Sequence, residues 1–235
     1  MERKAFQLLH DAESSWWYRG RALVVGKVLR RFAHDTYGNV LDLGAGWGGM
    51  LPVLSPYGDV TALEPDTAAR SSCSARGYLE VLSISDSGEL PDAAYTLVAF
   101  FDVLEHAQVD TTFLRDVRRS LVQGGAIILT VPAFSFLWST HDVEHHHYRR
   151  YEKNQLIDLL THEGFEVKYA SYWNMLLFPF ALMVRISGRS GSSSLAMPRW
   201  LNALFFSLVR VESSIIPSLS LPLGTGLIVY AQKST

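Results

Sequence analysis

The stretch Val40-Leu-Asp-Leu-Gly-Ala-Gly-Trp-Gly-Gly49 reads as a buried β-strand that runs directly into a glycine-rich turn. Gly44, Gly46 and Gly48 let the backbone bend sharply and approach a ligand with no Cβ in the way. Twenty residues beyond Gly44, Glu64 ends the next apolar run, where a carboxylate is suited to accept the hydroxyl hydrogens of a ribose. The spacing alone leaves the ligand open. Gly44, Gly46 and Gly49 also satisfy the G-x-G-x-x-G pattern of pyrophosphate-binding turns. Asp42 tilts the choice, because a carboxylate just before the first glycine repels a pyrophosphate and suits a cationic group.

Outward from this turn, short β-branched or apolar runs alternate with longer helical stretches. Strands are expected at 40–43, 60–63, 80–84, 96–101, 126–131, 166–172 and 226–232, and helices at 48–54, 66–76, 110–121 and 153–163. Gly77, Gly124 and Gly164 each follow a helical stretch, where a residue at positive φ is wanted. The alternation implies an α/β fold with a parallel sheet and crossover helices. A hydrophobic share of 48% against 19% charged residues in 235 is a globular composition, enough for one large core. The formal net charge of −2 offers no electrostatic case for nucleic acid as a partner. The lone Cys73 excludes an intramolecular disulfide and a multi-cysteine metal site. Residues 1–30 show no secretory signal, so a cytoplasmic location is expected.

The glycine stretch closely resembles motif I of class I S-adenosylmethionine-dependent methyltransferases, and further resemblances follow in order. Ala62-Leu-Glu-Pro-Asp66 is similar to that family's second-strand motif, and Asp86-Ser-Gly-Glu-Leu-Pro91 to the motif after the third strand. Phe101-Asp-Val-Leu-Glu-His106 resembles its D-V-L-E-H signature after the fourth strand. Leu121-Val-Gln-Gly-Gly-Ala-Ile-Ile-Leu-Thr-Val-Pro132 resembles its L-x-P-G-G turn and fifth strand, with Gln123 where the family has proline. The resemblance spans residues 38–170 and implies a Rossmann-like seven-stranded sheet of order 3-2-1-4-5-7-6 with an antiparallel last strand. It implies S-adenosyl-L-methionine as cofactor. Asp42, Gly44 and Gly46 would border its methionine part, Glu64 would hold the ribose and Asp86 the adenine amino group. Asp102 would begin the loop beneath the sulfonium, or cap the following helix. Glu105 and His106 are open between packing and capping.

Trp138-Ser-Thr-His-Asp-Val-Glu-His-His-His-Tyr-Arg-Arg-Tyr151 is dense in charge and aromatic rings. It follows a strand's carboxyl end, where open α/β sheets place their ligands. It resembles an H-D-x-x-x-x-H-x-R-R-Y stretch of a bacterial subgroup of the same family. His147 or His141 is a candidate base toward an acceptor hydroxyl, with Asp142 as orienting partner. A metal site built from these neighbouring histidines is disfavoured, because adjacent residues cannot all converge on one ion. The third reading is structural, with arginines paired to carboxylates over the sheet.

The organisation expected is one domain over 1–235. It comprises an N-terminal helical lid (1–34), a cofactor-binding core (38–172), a hydrophobic helical insertion (173–223) with apolar runs at 200–211 and 215–223, and a final strand (226–232). In the lid, Trp16-Trp17-Tyr18-Arg19-Gly20-Arg21 resembles the W-W-F-x-x-R-R opening of the subgroup. No apolar run of the insertion reaches the ~18 residues of a bilayer span. It is open between a pocket cap for a small or lipid-linked acceptor, a peripheral membrane contact and a homodimer interface. Methyl transfer, on oxygen by preference, is the leading expectation. Its rivals are a nicotinamide-dependent oxidoreductase and a membrane-associated binding module without turnover.

Overall fold

The computed structural model describes residues 14–33, 38–83, 90–186 and 197–234. Asp86, expected at the adenine, lies outside them, as does the Gly/Ser-rich stretch 187–194. In chain order the strands are β1 (Gly38–Leu43), β2 (Gly58–Leu63), β3 (Glu80–Leu82), β4 (Tyr95–Phe101), β5 (Leu121–Pro132), β6 (Phe165–Trp173) and β7 (Gly226–Lys233). They form one seven-stranded sheet of order β3-β2-β1-β4-β5-β7-β6. The pairs from β3 through β5 are parallel, and β7 runs antiparallel to both β5 and β6. This is the Rossmann-like order the motifs implied.

The central strands read as unbroken apolar runs because both faces of a parallel sheet are covered. Val40, Leu41, Leu97, Val98, Ile127, Ile128, Ile228 and Val229 are fully buried. The helices around them are α1 (Trp16–Phe32), α2 (Leu51–Leu54), α3 (Thr67–Arg76), α4 (Asp110–Ser120), α5 (Thr140–Glu144), α6 (Lys153–His162), α7 (Phe178–Ile186) and α8 (Arg199–Glu212). Ser15 and Asp66 cap α1 and α3, each accepting a backbone N–H inside the first turn.

Three local expectations need correction. The helix expected at 48–54 shrinks to α2 followed by a 3-10 turn over Ser55–Tyr57. Pro52 and Pro56 each sit at a helix start, the position where the missing N–H costs nothing, and so divide the segment. Gly124 does not end a helix. α4 stops at Ser120, and β5 pairs with β4 through Tyr95↔Leu121 and then Leu97↔Ala126, so residues 122–125 bulge out with Gly124 at φ 72°. The apolar run 215–223 is turns rather than helix, and its Leu221 bridges back to Tyr172.

α1 and α8 hold each other. The Asn202 amide oxygen accepts the Trp16 N–H at 2.7 Å, and the Arg19 guanidinium lies 3.8 Å from the Phe206 ring centroid. Trp16 meets Phe205 edge-on, while Trp17 packs on Trp173 at the end of β6. At the far end of α8, buried Glu212 accepts the Leu176 N–H just past β6. The helix before the sheet and the insertion ahead of its last strand thus close over the same region. No helix among the described residues is long and apolar enough to cross a membrane.

Gly38 and Gly58 face each other where β1 and β2 begin. A Cβ on Gly58, whose φ is 144°, would sit 1.7 Å from the Gly38 carbonyl oxygen. Gly58→Ala is expected to destabilise the fold by more than the ~1–3 kcal/mol of an ordinary overpacked side chain. Gly77→Ala, in open space at φ 94°, should cost only the left-handed backbone penalty of about 1–2 kcal/mol. Denaturant unfolding of the two variants reads the difference.

Candidate active site

Parallel alignment brings the carboxyl ends of β1, β2, β4 and β5 to one edge of the sheet. A cavity of about 1280 Å³ opens there, lined by Gly44–Gly46, Trp17, Tyr18, Arg21, Asp102, Glu105, His106, His141, His147 and the inner faces of α7 and α8, among others. Gly44, Gly46 and Gly48 all have positive φ. A Cβ on Gly44 would strike Val103 at 2.6 Å, whereas one on Gly46 would meet nothing within 4 Å. The turn is therefore pinned on its protein side and open on its cavity side.

Glu64 braces this turn. One carboxylate oxygen accepts the Gly46 N–H at 2.7 Å and the other accepts the Asp66 N–H at 2.9 Å. Asp42 is placed differently from its expected position beside the ligand. It is buried and does not line the cavity, and it accepts the Tyr78 phenol at 2.6 Å. Burial pushes its carboxyl up to about 6, against the lowering effect of the Tyr78 hydrogen bond.

Asp102 takes a positive φ of 56°, a conformation that non-glycine residues adopt mainly at special sites. Its N–H donates to the Thr130 carbonyl, and one carboxylate oxygen accepts the Thr130 hydroxyl at 3.0 Å. The other accepts Arg21 Nη1 at 2.7 Å. It does not cap the short turn that follows, Leu104–His106. Arg21 is a residue that sequence reasoning passed over. It lies 81 positions from Asp102, and only the docking of α1 over the sheet reveals the pair.

Asp142 is the hub of the histidine-rich segment. Its fully buried carboxylate accepts Arg150 Nε at 2.8 Å and Nη2 at 2.9 Å, together with the Ser139 N–H and hydroxyl. It also lies 3.0 Å from His147 Nδ1. Burial opposes its charge, but the hydrogen bonds from His147 and Arg150 and the arginine charge outweigh it and hold the carboxyl well below the usual range. An ionised carboxylate can only accept, so Nδ1 of His147 carries the proton and Nε2 is the free lone pair. His141 is not bonded to Asp142. Its ring lies 4.1 Å from His145, and burial and that neighbour lower its basicity.

The strand-four loop and the histidine segment are stitched together. The Tyr148 N–H donates to the Glu105 carbonyl at 2.8 Å, and Arg149 bonds Asp110 and the Gln108 carbonyl. Arginines do pair with carboxylates over the sheet, as the structural reading supposed, yet the same pairs aim histidines into the cavity. Glu105 is fully buried, and among the described residues neither of its carboxylate oxygens has a hydrogen-bond partner. Burial, and then the Asp102 charge, push its carboxyl well above the ordinary range.

With this geometry in view, residues 16–170 match a family model described as a methyltransferase domain. The chain belongs to the class I S-adenosylmethionine-dependent methyltransferase family. A protein of Mycolicibacterium smegmatis, named "Probable S-adenosylmethionine-dependent methyltransferase", is 28% identical over 163 residues. That match covers 67% of this chain and 62% of the relative, so the chain spans somewhat under two thirds of the relative's length. Among solved structures, phosphoethanolamine N-methyltransferase 2 of Haemonchus contortus, in complex with S-adenosyl-L-methionine, is similar. Its TM-score is 0.56 at 16% identity, covering 88% of this chain and 51% of that one. The cyclase SpnF is similar at a TM-score of 0.58 and 17% identity, covering 91% and 82%. These remote likenesses establish the methyltransferase fold, and the cyclase shows that the fold also carries other chemistry.

Asp42 has a thermodynamic signature. Its folded-state carboxyl titrates near 6 against an ordinary 3.8. Its contribution is therefore fully present below about pH 4 and is lost as pH rises through about 6. Asp42→Asn keeps an oxygen for the Tyr78 hydroxyl and removes the buried charge. The variant is expected to match the parent's stability near pH 4 and to exceed it by up to about 3 kcal/mol above pH 7. Thermal melts across this range provide the check.

Proposed function

We propose that the chain binds S-adenosyl-L-methionine at the glycine turn and transfers its methyl group to a small or lipid-like acceptor, on oxygen, from the histidine side of the cavity. The observation that carries this reading is the single cavity joining the Gly44–Gly46 turn to the Asp142-anchored His147. Its volume of about 1280 Å³ exceeds the roughly 300–1,000 Å³ of an ordinary ligand pocket, which suits two molecules side by side.

The residues present fit the cofactor. The cavity side of Gly46 has no side chain and no near neighbour, so a ligand can lie directly on the backbone. Arg21 and Asp102 offer one charge of each sign to a zwitterionic amino-acid tail. Each Glu64 oxygen accepts one backbone N–H and keeps a lone pair for a ribose hydroxyl. Trp17 and Tyr18 place ring faces on the cavity wall, where a sulfonium is attracted to them. Asp42 supports the turn from beneath, and Asp86 is assigned to the adenine amino group by resemblance alone. The cofactor supplies an already activated methyl.

The chain's own task is to position the acceptor and handle its proton. Asp142 and Arg150 lock the His147 ring so that Nε2 receives that proton. The acceptor oxygen then forms its bond to the methyl carbon, while the carbon–sulfur bond breaks with its electron pair going to sulfur. His141 shares this wall of the cavity and assists in placing the acceptor.

In this reading one domain uses its N-terminal helix as a lid and 173–223 as a cap. Phe180, Ala181, Val184 and Phe205 give the cap an apolar inner surface suited to a lipid-like acceptor. On its outer side Met183 and Trp200 are 61% and 70% exposed, which supports peripheral contact with a membrane surface from the cytoplasmic side. A homodimer through the same apolar side is the other use that surface supports.

Calorimetry of cofactor-free protein with S-adenosylmethionine should give one site per chain; no binding would sink the proposal. Glu64→Ala is expected to weaken binding about 10- to 100-fold, since hydrogen bonds to a charged acceptor contribute roughly 1.5–3 kcal/mol each. Transfer of labelled methyl into a lipid extract reads turnover. His147→Ala should lower it about 10²- to 10⁴-fold with cofactor affinity unchanged. Binding with no transfer to any lipid or small-molecule fraction would leave a binding module instead of an enzyme.

A further inference from the structure

Glu105, His106 and His147 form a group that the methyl-transfer reading does not fully use. One ligand atom from each lies within 4.8 Å of the other two, and all three residues line the cavity. The two imidazoles meet edge to face, with centroids 4.7 Å apart. They come from segments 41 positions apart, clamped by the Tyr148–Glu105 backbone bond and by Arg149 on Gln108 and Asp110.

A second observation points to a ligand. Glu105 is completely buried, and among the described residues neither of its oxygens has a hydrogen-bond partner. A buried carboxylate without partners is costly, and the usual compensation is a cation or a set of donors. His147, meanwhile, is oriented from behind, bonded through Nδ1 to Asp142 with Nε2 left for a ligand. A carboxylate or carbonyl behind an imidazole is the arrangement that fixes metal-ligating histidines.

We propose that Glu105, His106 and His147 bind one divalent transition-metal ion, with an open coordination position toward the cavity. Two imidazoles and a carboxylate suit zinc and its first-row neighbours better than magnesium or calcium, which prefer all-oxygen sets. Three protein ligands leave a fourth position for a water or an acceptor oxygen. The ion's role, unlike the site, rests on the methyl-transfer reading. With the ion bound, Nε2 of His147 is a ligand and no longer a base. An acceptor hydroxyl coordinated at the open position releases its proton to solvent, and the resulting oxygen attacks the methyl group as described above.

The test uses full-length protein stripped with chelator and titrated with Zn²⁺ by calorimetry and with Co²⁺ by visible absorption. One ion per chain is expected. Glu105→Gln and His106→Ala should each weaken binding at least tenfold, and Asp142→Asn 10- to 100-fold through His147. A His141→Ala/His145→Ala double variant, which removes the neighbouring cavity histidines but none of the three ligands, should bind as the parent does. At one Zn²⁺ concentration the melting temperature of the parent should rise by more than that of Glu105→Gln, and both proteins should melt cooperatively, which shows that both are folded. The assignment is overturned by failure of the parent to bind stoichiometrically, by binding that persists in Glu105→Gln and His106→Ala, or by binding that disappears in the double variant. None of these readouts needs cofactor or turnover, so they stand apart from the fate of the methyl-transfer reading.

Discussion

The parallel pairing of β1 between β2 and β4 is the constraint on which the rest of the site depends. Parallel neighbours end on the same edge, so Gly44, Glu64 and Asp102, from three separate stretches of sequence, arrive together without any contact between distant side chains having to find them. The turn then needs little else. The Gly44 and Ala45 N–H groups share the Leu63 carbonyl, and the Gly46 N–H donates to Glu64. The sheet thus determines where the turn sits, and the glycines determine that it can be approached. A one-residue slip between β1 and β2 would turn every alternate side chain to the wrong face and carry Glu64 away from Gly46.

Three of the buried carboxylates near this edge, Asp142, Asp42 and Glu105, are handled in three different ways. Asp142 is surrounded by Arg150, His147 and Ser139 and is held firmly ionised, which makes it a fixed anchor for an imidazole. Asp42 accepts the Tyr78 phenol, and burial raises its carboxyl to about 6, at some expense to stability at neutral pH. The Glu105 carboxylate has no donor in hydrogen-bonding geometry among the described residues. Desolvation acts on all three, so what separates them is the number of donors supplied by the surrounding loops. A carboxylate left without donors, beside two histidines and on the wall of a cavity, is the one with most to gain from an added cation.

Much of this was legible in the chain. The order of strands is the one that the resemblance to the methyltransferase motifs implied, and the glycine stretch with Glu64 pointed to the edge where the cavity opens. Asp142, expected beside a histidine, lies 3.0 Å from His147 Nδ1. What local pattern could not show is anything that depends on which faces dock. Tyr78 beneath Asp42, Arg21 against Asp102 and the meeting of Glu105 and His106 with His147 are contacts between residues 36 to 81 positions apart. The group proposed above as a metal site was hidden for a related reason: the sequence offers neighbouring histidines on one segment, whereas Glu105 and His106 come from one segment and His147 from another. Pro52 and Pro56, by contrast, were visible signals for the broken helix, and the helical periodicity around them concealed their effect.

The proposed acceptor side follows a different logic from the proposed cofactor side. The family match ends at residue 170, just before the segment that supplies α7 and α8 and closes the cavity. The cofactor edge is built from strand ends, whose positions the hydrogen-bonded register dictates. The acceptor wall is built from helices held by side chains: Asn202 on Trp16, Glu212 on Leu176, and the packed rings of Trp16, Phe205 and Phe180. Side-chain contacts of this kind can be exchanged without disturbing the sheet. The same edge of the same sheet can therefore serve acceptors of very different size, while the donor's half of the cavity stays as the strands define it.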